Sequence, residues 1–313
     1  MHGARPNVFE GLALDRSADY REDPAWLNQA WRSAQLIAVD FQGRVRLNAA
    51  HQLVLGAARE HAPERPPDAV FLGLAENTPW FAVADHNEER DVTPGRIGLR
   101  EAALHSSPFL AGLFAYAKAI LLWHTRARYC GACGSTTERA RAGHCRRCSN
   151  ADCKLEHYPR TDAAIITLVT HGSLALIGRG AHWPERRFST LAGFVEPGES
   201  LEDALRREVW EEAGIRVGRC QYRSSQPWPF PASLMLGFYA EATTSEIRLG
   251  DELAEARWIS AEQMLAEAED GKLLLPYPIS VSYRLIEDWL LDQLGETRVR
   301  SALGALERAA GMA

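Results

Sequence analysis

The stretch Gly193-Phe-Val-Glu-Pro-Gly-Glu199-Ser-Leu-Glu-Asp-Ala-Leu-Arg-Arg207-Glu208-Val-Trp-Glu211-Glu212-Ala-Gly214-Ile215 decides how the rest of this chain is read. Pro197-Gly198 turns the backbone. Ser200 is a helix N-cap, with Asp203 three residues on closing a capping-box-like pair. The helix that follows presents Leu201, Ala204, Leu205 and Val209 to a core, and Gly214 ends it. Glu208, Glu211 and Glu212 stand at i, i+3 and i+4, so they share a face. Three carboxylates on one face repel one another, and a helix gains nothing from them unless cations neutralise the charge. Clustered hard oxygen ligands suit Mg²⁺ or Mn²⁺. A solvated acidic face accounts well for Glu202 and Asp203, but less well for this triple with Arg207 and Gly193 at fixed offsets.

Around this helix, residues 158–295 read as an α/β domain. Ala163 to Val169 and Leu174 to Ile177 are predicted strands joined by a hairpin at His171-Gly172. Leu234 to Ala242 and Ala256 to Ile259 are further strands, and Ile279 to Leu294 is a terminal helix. Residues 1–125 form a smaller mixed α/β domain, with strands at Gln35 to Asp40, Val70 to Leu74 and Trp80 to Ala84. A helix is predicted from Leu104 to Trp123. No catalytic constellation stands out in this domain. Residues 296–313 are a helical tail rich in small residues.

Residues 126–157 are poor in large apolar side chains, and such a segment needs a staple. Of the six cysteines in the chain, five fall here or close by. Cys130-x-x-Cys133 and Cys145-x-x-Cys148 are two hooks separated by eleven residues, a zinc-ribbon spacing. Four thiolates close a tetrahedral Zn²⁺ site, so the expected role is structural. Cys153, His144 and His157 read as bystanders, and Cys220 as a small core residue in a strand. Between residues 126 and 160, eight basic side chains face three acidic ones. That excess either compensates a negatively charged zinc–thiolate cluster or attracts phosphates and RNA.

Composition excludes several classes. A chain of 313 residues that is 46% hydrophobic and 24% charged is ordinary for a soluble protein of about two domains with a real core. A net charge of −6 is unlike a strongly basic nucleic-acid binder. No apolar run approaches a membrane span. Met1 to Glu10 lacks the pattern of a secretory signal, and Ala310 to Ala313 carry no lipidation motif. The expectation is a cytoplasmic protein.

The opening stretch is identified as a Nudix box: Gly, five residues, Glu, seven residues, then Arg-Glu-aliphatic-any-Glu-Glu-any-Gly-aliphatic. A second signature follows it, Ser225-Gln226-Pro227-Trp228-Pro229-Phe230-Pro231-Ala232-Ser233. Its interleaved prolines and aromatics make a stiff loop suited to stacking on a ring. Together with Trp123-His124, the four-cysteine ribbon and Tyr158-Pro159-Arg160, in this order, it makes the chain resemble the NADH pyrophosphatase branch of the Nudix family over nearly its whole length.

The resemblance implies an α/β/α sandwich preceded by a small mixed α/β domain and a zinc ribbon. It implies that Glu208 and Glu212 are metal ligands and Glu211 a ligand or proton acceptor. Arg207 orients a glutamate, Glu199 supports the loop or binds metal, and the Ala192 carbonyl completes coordination. Glu252 matches a late metal-binding glutamate, with Glu255 its competitor. Tyr158, Phe194, residues Gln226 to Ser233 and the backbone at Ser282 are implied substrate contacts. The implied reaction, assisted by several Mg²⁺ or Mn²⁺ ions, splits NADH or NAD⁺ into a nicotinamide mononucleotide and AMP. The family also removes NAD caps from RNA, and its members are typically homodimers. The rivals are a diphosphatase of ADP-ribose, FAD or a dinucleoside polyphosphate, and a nucleotide-sensing regulator joined to a zinc ribbon. The complete set of Arg207, Glu208, Glu211 and Glu212 argues against a dead sensor.

Overall fold

Strand Asp162–His171 sets the architecture of the box-bearing part. Successive side chains on a strand point to opposite faces. Ile165 and Val169 accordingly enter one core, and Ile166 and Leu168 the other. Box helix Leu201–Ala213 covers the first face, packing Ala204, Leu205, Val209 and Ala213 against Leu176, Leu191 and Phe238. Helices Ala261–Glu269, Val281–Leu294 and Glu296–Ala309 cover the second face through Met264, Leu265, Leu285, Ile286, Leu290, Val299 and Leu303. The result is an α/β/α sandwich around a mixed sheet. Its strand order is Val217–Trp228, Ser233–Ala242, Asp162–His171, Leu174–Gly180 and Leu253–Ser260, with Leu191–Phe194 also paired to Asp162–His171. Asp162–His171 runs parallel to Ser233–Ala242 and antiparallel to Leu174–Gly180.

The computed structural model describes residues 6–48, 52–85 and 95–309. Met1 to Arg5 and Ala310 to Ala313, over which parts of the terminal readings fell, lie outside the described residues. The chain divides into two compact units. One holds the described parts of Met1–Glu10 and Ser233–Ala313 with Asp162–Pro227; the other holds the described parts of Gly11–Thr161 with Trp228–Ala232. We call them the box unit and the ribbon unit. The helix Glu296–Ala309, read in the sequence as a tail, belongs to the box unit's core through Val299, Ala302 and Leu303.

In the ribbon unit a four-stranded sheet has the order Gly56–Ala57, Gln35–Asp40, Thr78–Asp85, Val70–Ala75. Trp31, Phe71 and Phe81 pack into its core without exposure. The helix predicted from Leu104 to Trp123 is two helices, Leu99–His105 and Pro108–Arg126. Proline disfavours helical backbone in the residue before it. Ser107 is therefore extended, and its side chain caps the second helix by accepting from the Leu110 amide. The cysteine-rich segment forms strands Thr137–Ala140, Cys145–Cys148 and Glu156–His157.

That segment is clasped to the rest of its unit. His144 Nε2 donates to the Phe71 carbonyl at 2.7 Å. His124 Nε2 donates to the Gly143 carbonyl at 2.8 Å, and its Nδ1 accepts from the buried Arg146 guanidinium at 3.2 Å. Arg146 also donates to the Thr137 hydroxyl and carbonyl. Arg147 is exposed and pairs with Glu156 at 2.7 Å. Among the described residues no helix is long and apolar enough to cross a membrane.

Candidate functional site

The box helix begins and ends where its caps dictate. The Ser200 hydroxyl accepts from the Asp203 amide, and Gly214 takes the left-handed conformation at φ 67° that glycine tolerates. The carbonyls of its last turn have no partner within the helix. Two of them are satisfied by the loop between Ser233–Ala242 and Leu253–Ser260: the Arg248 amide donates to Ala213 at 2.8 Å and the Gly250 amide to Glu212 at 3.0 Å. A β-carbon at Gly250 would meet the Glu211 carbonyl oxygen at 2.1 Å, so this close approach requires glycine. The loop suspended in this way carries Asp251 and Glu252 back beside the helix.

Arg207 organises the carboxylates around it. Its Nε and Nη2 donate to the two oxygens of Glu199 at 2.6 and 2.8 Å, a bidentate pair. Nη1 donates to Glu208 at 2.8 Å and to Glu211 at 3.1 Å, and Nη2 also reaches the Phe194 carbonyl. The Arg207 pair, then the Glu196 amide, holds the Glu199 carboxyl down at about 2. Glu199 therefore fixes the loop and the guanidinium. Its carboxylate oxygens are already engaged.

Glu208 is partly buried and Glu212 is buried, while Glu211 is exposed. Burial, then the charges of Glu208 and Glu252, push the Glu212 carboxyl up to about 8. Burial also raises Glu208, and the charges of Glu211 and Glu252 add to that shift. Glu208, Glu212 and Glu252, near enough for their charges to act on one another, supply hard oxygens of the kind a divalent cation takes. A cleft of about 460 Å³ opens beside Glu212, and Ala192, Asp251, Glu252, His182 and Trp183 also line it. Glu255 faces Arg179 at 3.6 Å and does not line this cleft.

The remaining sequence-predicted contacts divide. Phe194, at the end of strand Leu191–Phe194, is 58% exposed and is not packed beneath the box helix. Gln226 is fully buried; its amide donates to the Val8 and Ile279 carbonyls and accepts from the Val281 amide. That side chain serves as an internal clasp. Ser282 is buried too, its hydroxyl shared with Ser189, Thr190 and the Thr190 amide. Pro227 and Ser233 belong to the box unit. Trp228, Pro229, Phe230, Pro231 and Ala232 belong to the ribbon unit. There Arg100 and Lys118 lie over the Phe230 ring at 4.4 and 4.2 Å, with Trp228 beside it. Tyr158, also in the ribbon unit, is exposed and donates to Glu156 at 2.6 Å.

The cysteines that the structure gathers are not the four that the spacing predicts. The sulfurs that lie within 4.8 Å of one another belong to Cys130, Cys133, Cys148 and Cys153. Cys145 is outside this group, and Cys153, which the spacing leaves as a bystander, is in it. The reason is strand geometry. Cys145 and Cys148 both lie on Cys145–Cys148, where residues three apart point to opposite faces. A pair of cysteines at that spacing makes a hook on a turn and cannot do so on a strand. Sequence reasoning also passed over Asp251, His182 and Trp183, which lie far from the box in sequence or outside any motif.

Three family descriptions match consecutive parts of the chain. They are the NADH pyrophosphatase-like rudimentary NUDIX domain at residues 33–123, the NADH pyrophosphatase zinc ribbon domain at 125–158, and the NUDIX domain at 158–276. The chain is similar to the NAD-capped RNA hydrolase NudC of Mycobacterium bovis (strain BCG / Pasteur 1173P2), with 40% identity over 297 residues, 90% of this chain and 94% of that protein. It is similar to the protein of that name from Mycobacterium tuberculosis (strain ATCC 25618 / H37Rv) at 39% identity, with the same coverage. The NAD-capped RNA hydrolase NUDT12 of Homo sapiens is 41% identical over 192 residues, 58% of this chain and 42% of that protein.

Proposed function

This chain belongs to the Nudix family, in its NADH pyrophosphatase branch, and from that premise we propose that it hydrolyses the diphosphate of NADH and NAD⁺ and removes NAD caps from RNA. The observation that carries this reading is that Glu212 and Glu252 line one cleft with Ala192, with the charge of Glu208 acting on Glu212 from beside it. The phosphoanhydride bond breaks, the oxygen of water joins one phosphorus, and nicotinamide mononucleotide and AMP leave with one phosphate each.

Glu208, Glu212, Glu252 and the Ala192 carbonyl would hold the catalytic Mg²⁺ or Mn²⁺. Bound there, such ions polarise phosphoryl oxygens and lower the pKa of water. Glu211, exposed and tethered to Arg207, would accept a proton at its carboxylate. Arg207 keeps Glu208 and Glu211 oriented, and Glu199 keeps Arg207 in place. The cysteine cluster would hold one structural Zn²⁺. We further read the protein as a cytoplasmic homodimer. Residues 1–125, 126–157, 158–295 and 296–313 are proposed as its sequence modules.

The test is AMP release from NADH, NAD⁺, ADP-ribose and FAD, and release of nicotinamide mononucleotide from NAD-capped RNA to leave a 5′-monophosphate end, with Mg²⁺ or Mn²⁺. Faster turnover of the nicotinamide substrates supports the assignment. Preference for ADP-ribose or FAD would replace it with another nucleotide diphosphatase.

A further inference from the structure

We propose that Trp183 is a ring-stacking wall of the catalytic cleft, holding one aromatic ring of the dinucleotide while the acids of the box helix engage its diphosphate. The proposal rests on the hydrolase function above and names a substrate contact within it. Trp183 lies outside the Nudix box and outside the proline-aromatic loop.

An exposed tryptophan alone means little, since much of any protein surface is apolar. What distinguishes Trp183 is its position and its freedom. It is 45% exposed and lines the same cleft as Ala192, Glu212, Asp251 and Glu252. The cleft, at about 460 Å³, is in the size range of small-ligand sites. It is acidic where the diphosphate and its cations belong, and aromatic at Trp183. Among the described residues the indole stacks on no other ring and its N–H has no hydrogen-bond partner. One face and one donor are thus available to a ligand.

The local backbone holds the indole in place. The Trp183 amide donates to the Gly180 carbonyl at 3.1 Å, a tight turn that folds residue 183 back over residue 180. A β-carbon at Gly180 would stand 3.5 Å from the indole nitrogen, so the ring lies directly against that backbone. The pairing of Leu174–Gly180 with Leu253–Ser260 shifts register at Arg179/Gly180, and such irregularities redirect side chains beside functional sites. Pro184 restricts the residue before it to extended backbone, which limits how Trp183 can leave. A ring held in advance loses little freedom on binding, so its stacking energy goes into affinity.

The experiment compares wild type, Trp183→Phe and Trp183→Ala in steady-state hydrolysis of NADH and of ADP-ribose. Melting temperature and Mn²⁺ binding without nucleotide are measured alongside. Loss of one stacked ring costs ~10–100-fold in affinity. Trp183→Ala is expected to raise KM by that order with kcat, Mn²⁺ affinity and melting temperature unchanged, and Trp183→Phe to recover most of the loss. A rise confined to NADH assigns the nicotinamide ring; an equal rise with ADP-ribose assigns adenine. An unchanged KM for both substrates overturns the proposal. So does an equal loss in Phe and Ala variants, or a fall in kcat that tracks a fall in melting temperature. If the wild type releases no AMP from NADH, the NAD(H) diphosphatase reading fails, and the ADP-ribose series still decides the role of Trp183.

Discussion

A β-carbon on Gly193 would lie 1.8 Å from the carboxyl carbon of Glu208, far inside any allowed contact. The first glycine of the box is therefore the space in which the glutamate sits, and the two residues cannot be varied independently. Gly193→Ala is expected to displace Glu208 and lower kcat by ~10²-fold, the scale of losing one element of transition-state stabilisation. The core under Leu191 is untouched, so the fold should survive. Normal turnover by Gly193→Ala, with Mn²⁺ affinity unchanged, would separate Glu208 from the chemistry.

Glu212 carries the most strained charge in the site. Burial and the neighbouring charges of Glu208 and Glu252 all disfavour its ionised form. Glu212→Gln keeps the shape and removes that repulsion. The metal-free variant is expected to melt at or above the wild-type temperature, while kcat falls by ~10²-fold or more. Added Mn²⁺ should raise the wild-type melting temperature and raise the variant's less, because ligand stabilisation scales with affinity. Scanning both proteins with EDTA and with Mn²⁺ checks this.

What the sequence revealed and what it hid follow from the range of the interactions. The bounds of the box helix were legible because Ser200 and Gly214 act within a turn of the residues they cap. That Asp162–His171 is buried on both faces was legible in its near-continuous apolar run. The role of Gln226 was not, because its partners Val8 and Ile279 lie 218 and 53 residues away and only the folded chain brings them together. Likewise Arg146 and Arg147 look equivalent in a basic run. The first is a buried clasp on His124 and Thr137 and the second an exposed partner of Glu156. Charge counting could not tell them apart, and a phosphate-binding role for Arg146 does not fit a guanidinium enclosed by the protein. The break at Pro108 was readable in advance, since proline's effect on the preceding residue is local.

The His124–His144 clasp should make the ribbon unit acid-sensitive. Burial, then the Arg139 charge, holds His124 down at about 3. Burial, together with the Arg21 and Arg16 charges, holds His144 at about 4 against the opposing bond to Phe71. Both are neutral in the folded protein, whereas an unfolded imidazole takes up a proton near pH 6.5. As pH falls below ~6.5 the unfolded state binds more protons and stability declines, by about 1.4 kcal/mol per pH unit for each imidazole, until the folded values are reached. Above pH ~6.5 the contribution is complete. His124→Gln, which retains a donor and an acceptor, is expected to flatten the decline between pH 7.5 and 5.5. Parallel pH profiles for wild type and variant would exclude His124 as a cause.

The last prediction separates two ligand sets that the sequence could not. If spacing decided, Cys130, Cys133, Cys145 and Cys148 would hold the zinc; the structure gathers Cys130, Cys133, Cys148 and Cys153. Cys153 follows a turn in which its amide and that of Lys154 both donate to the Asn150 carbonyl, and this brings its sulfur within 3.8 Å of Cys130. Cys145 is buried on the opposite side of its strand from Cys148. Replacing a ligand with serine removes a soft thiolate that zinc prefers. Cys153→Ser is therefore expected to lose most bound zinc on dialysis and to melt earlier, because structural zinc contributes folding energy. Cys145→Ser should retain a full equivalent of zinc, since the Cys145 sulfur is not among the gathered four. Elemental analysis after dialysis against a weak chelator reads the difference directly. A Cys145→Ser protein that arrives without zinc while Cys153→Ser keeps it would restore the set expected from spacing alone. Full zinc in both would mean that neither is a required ligand.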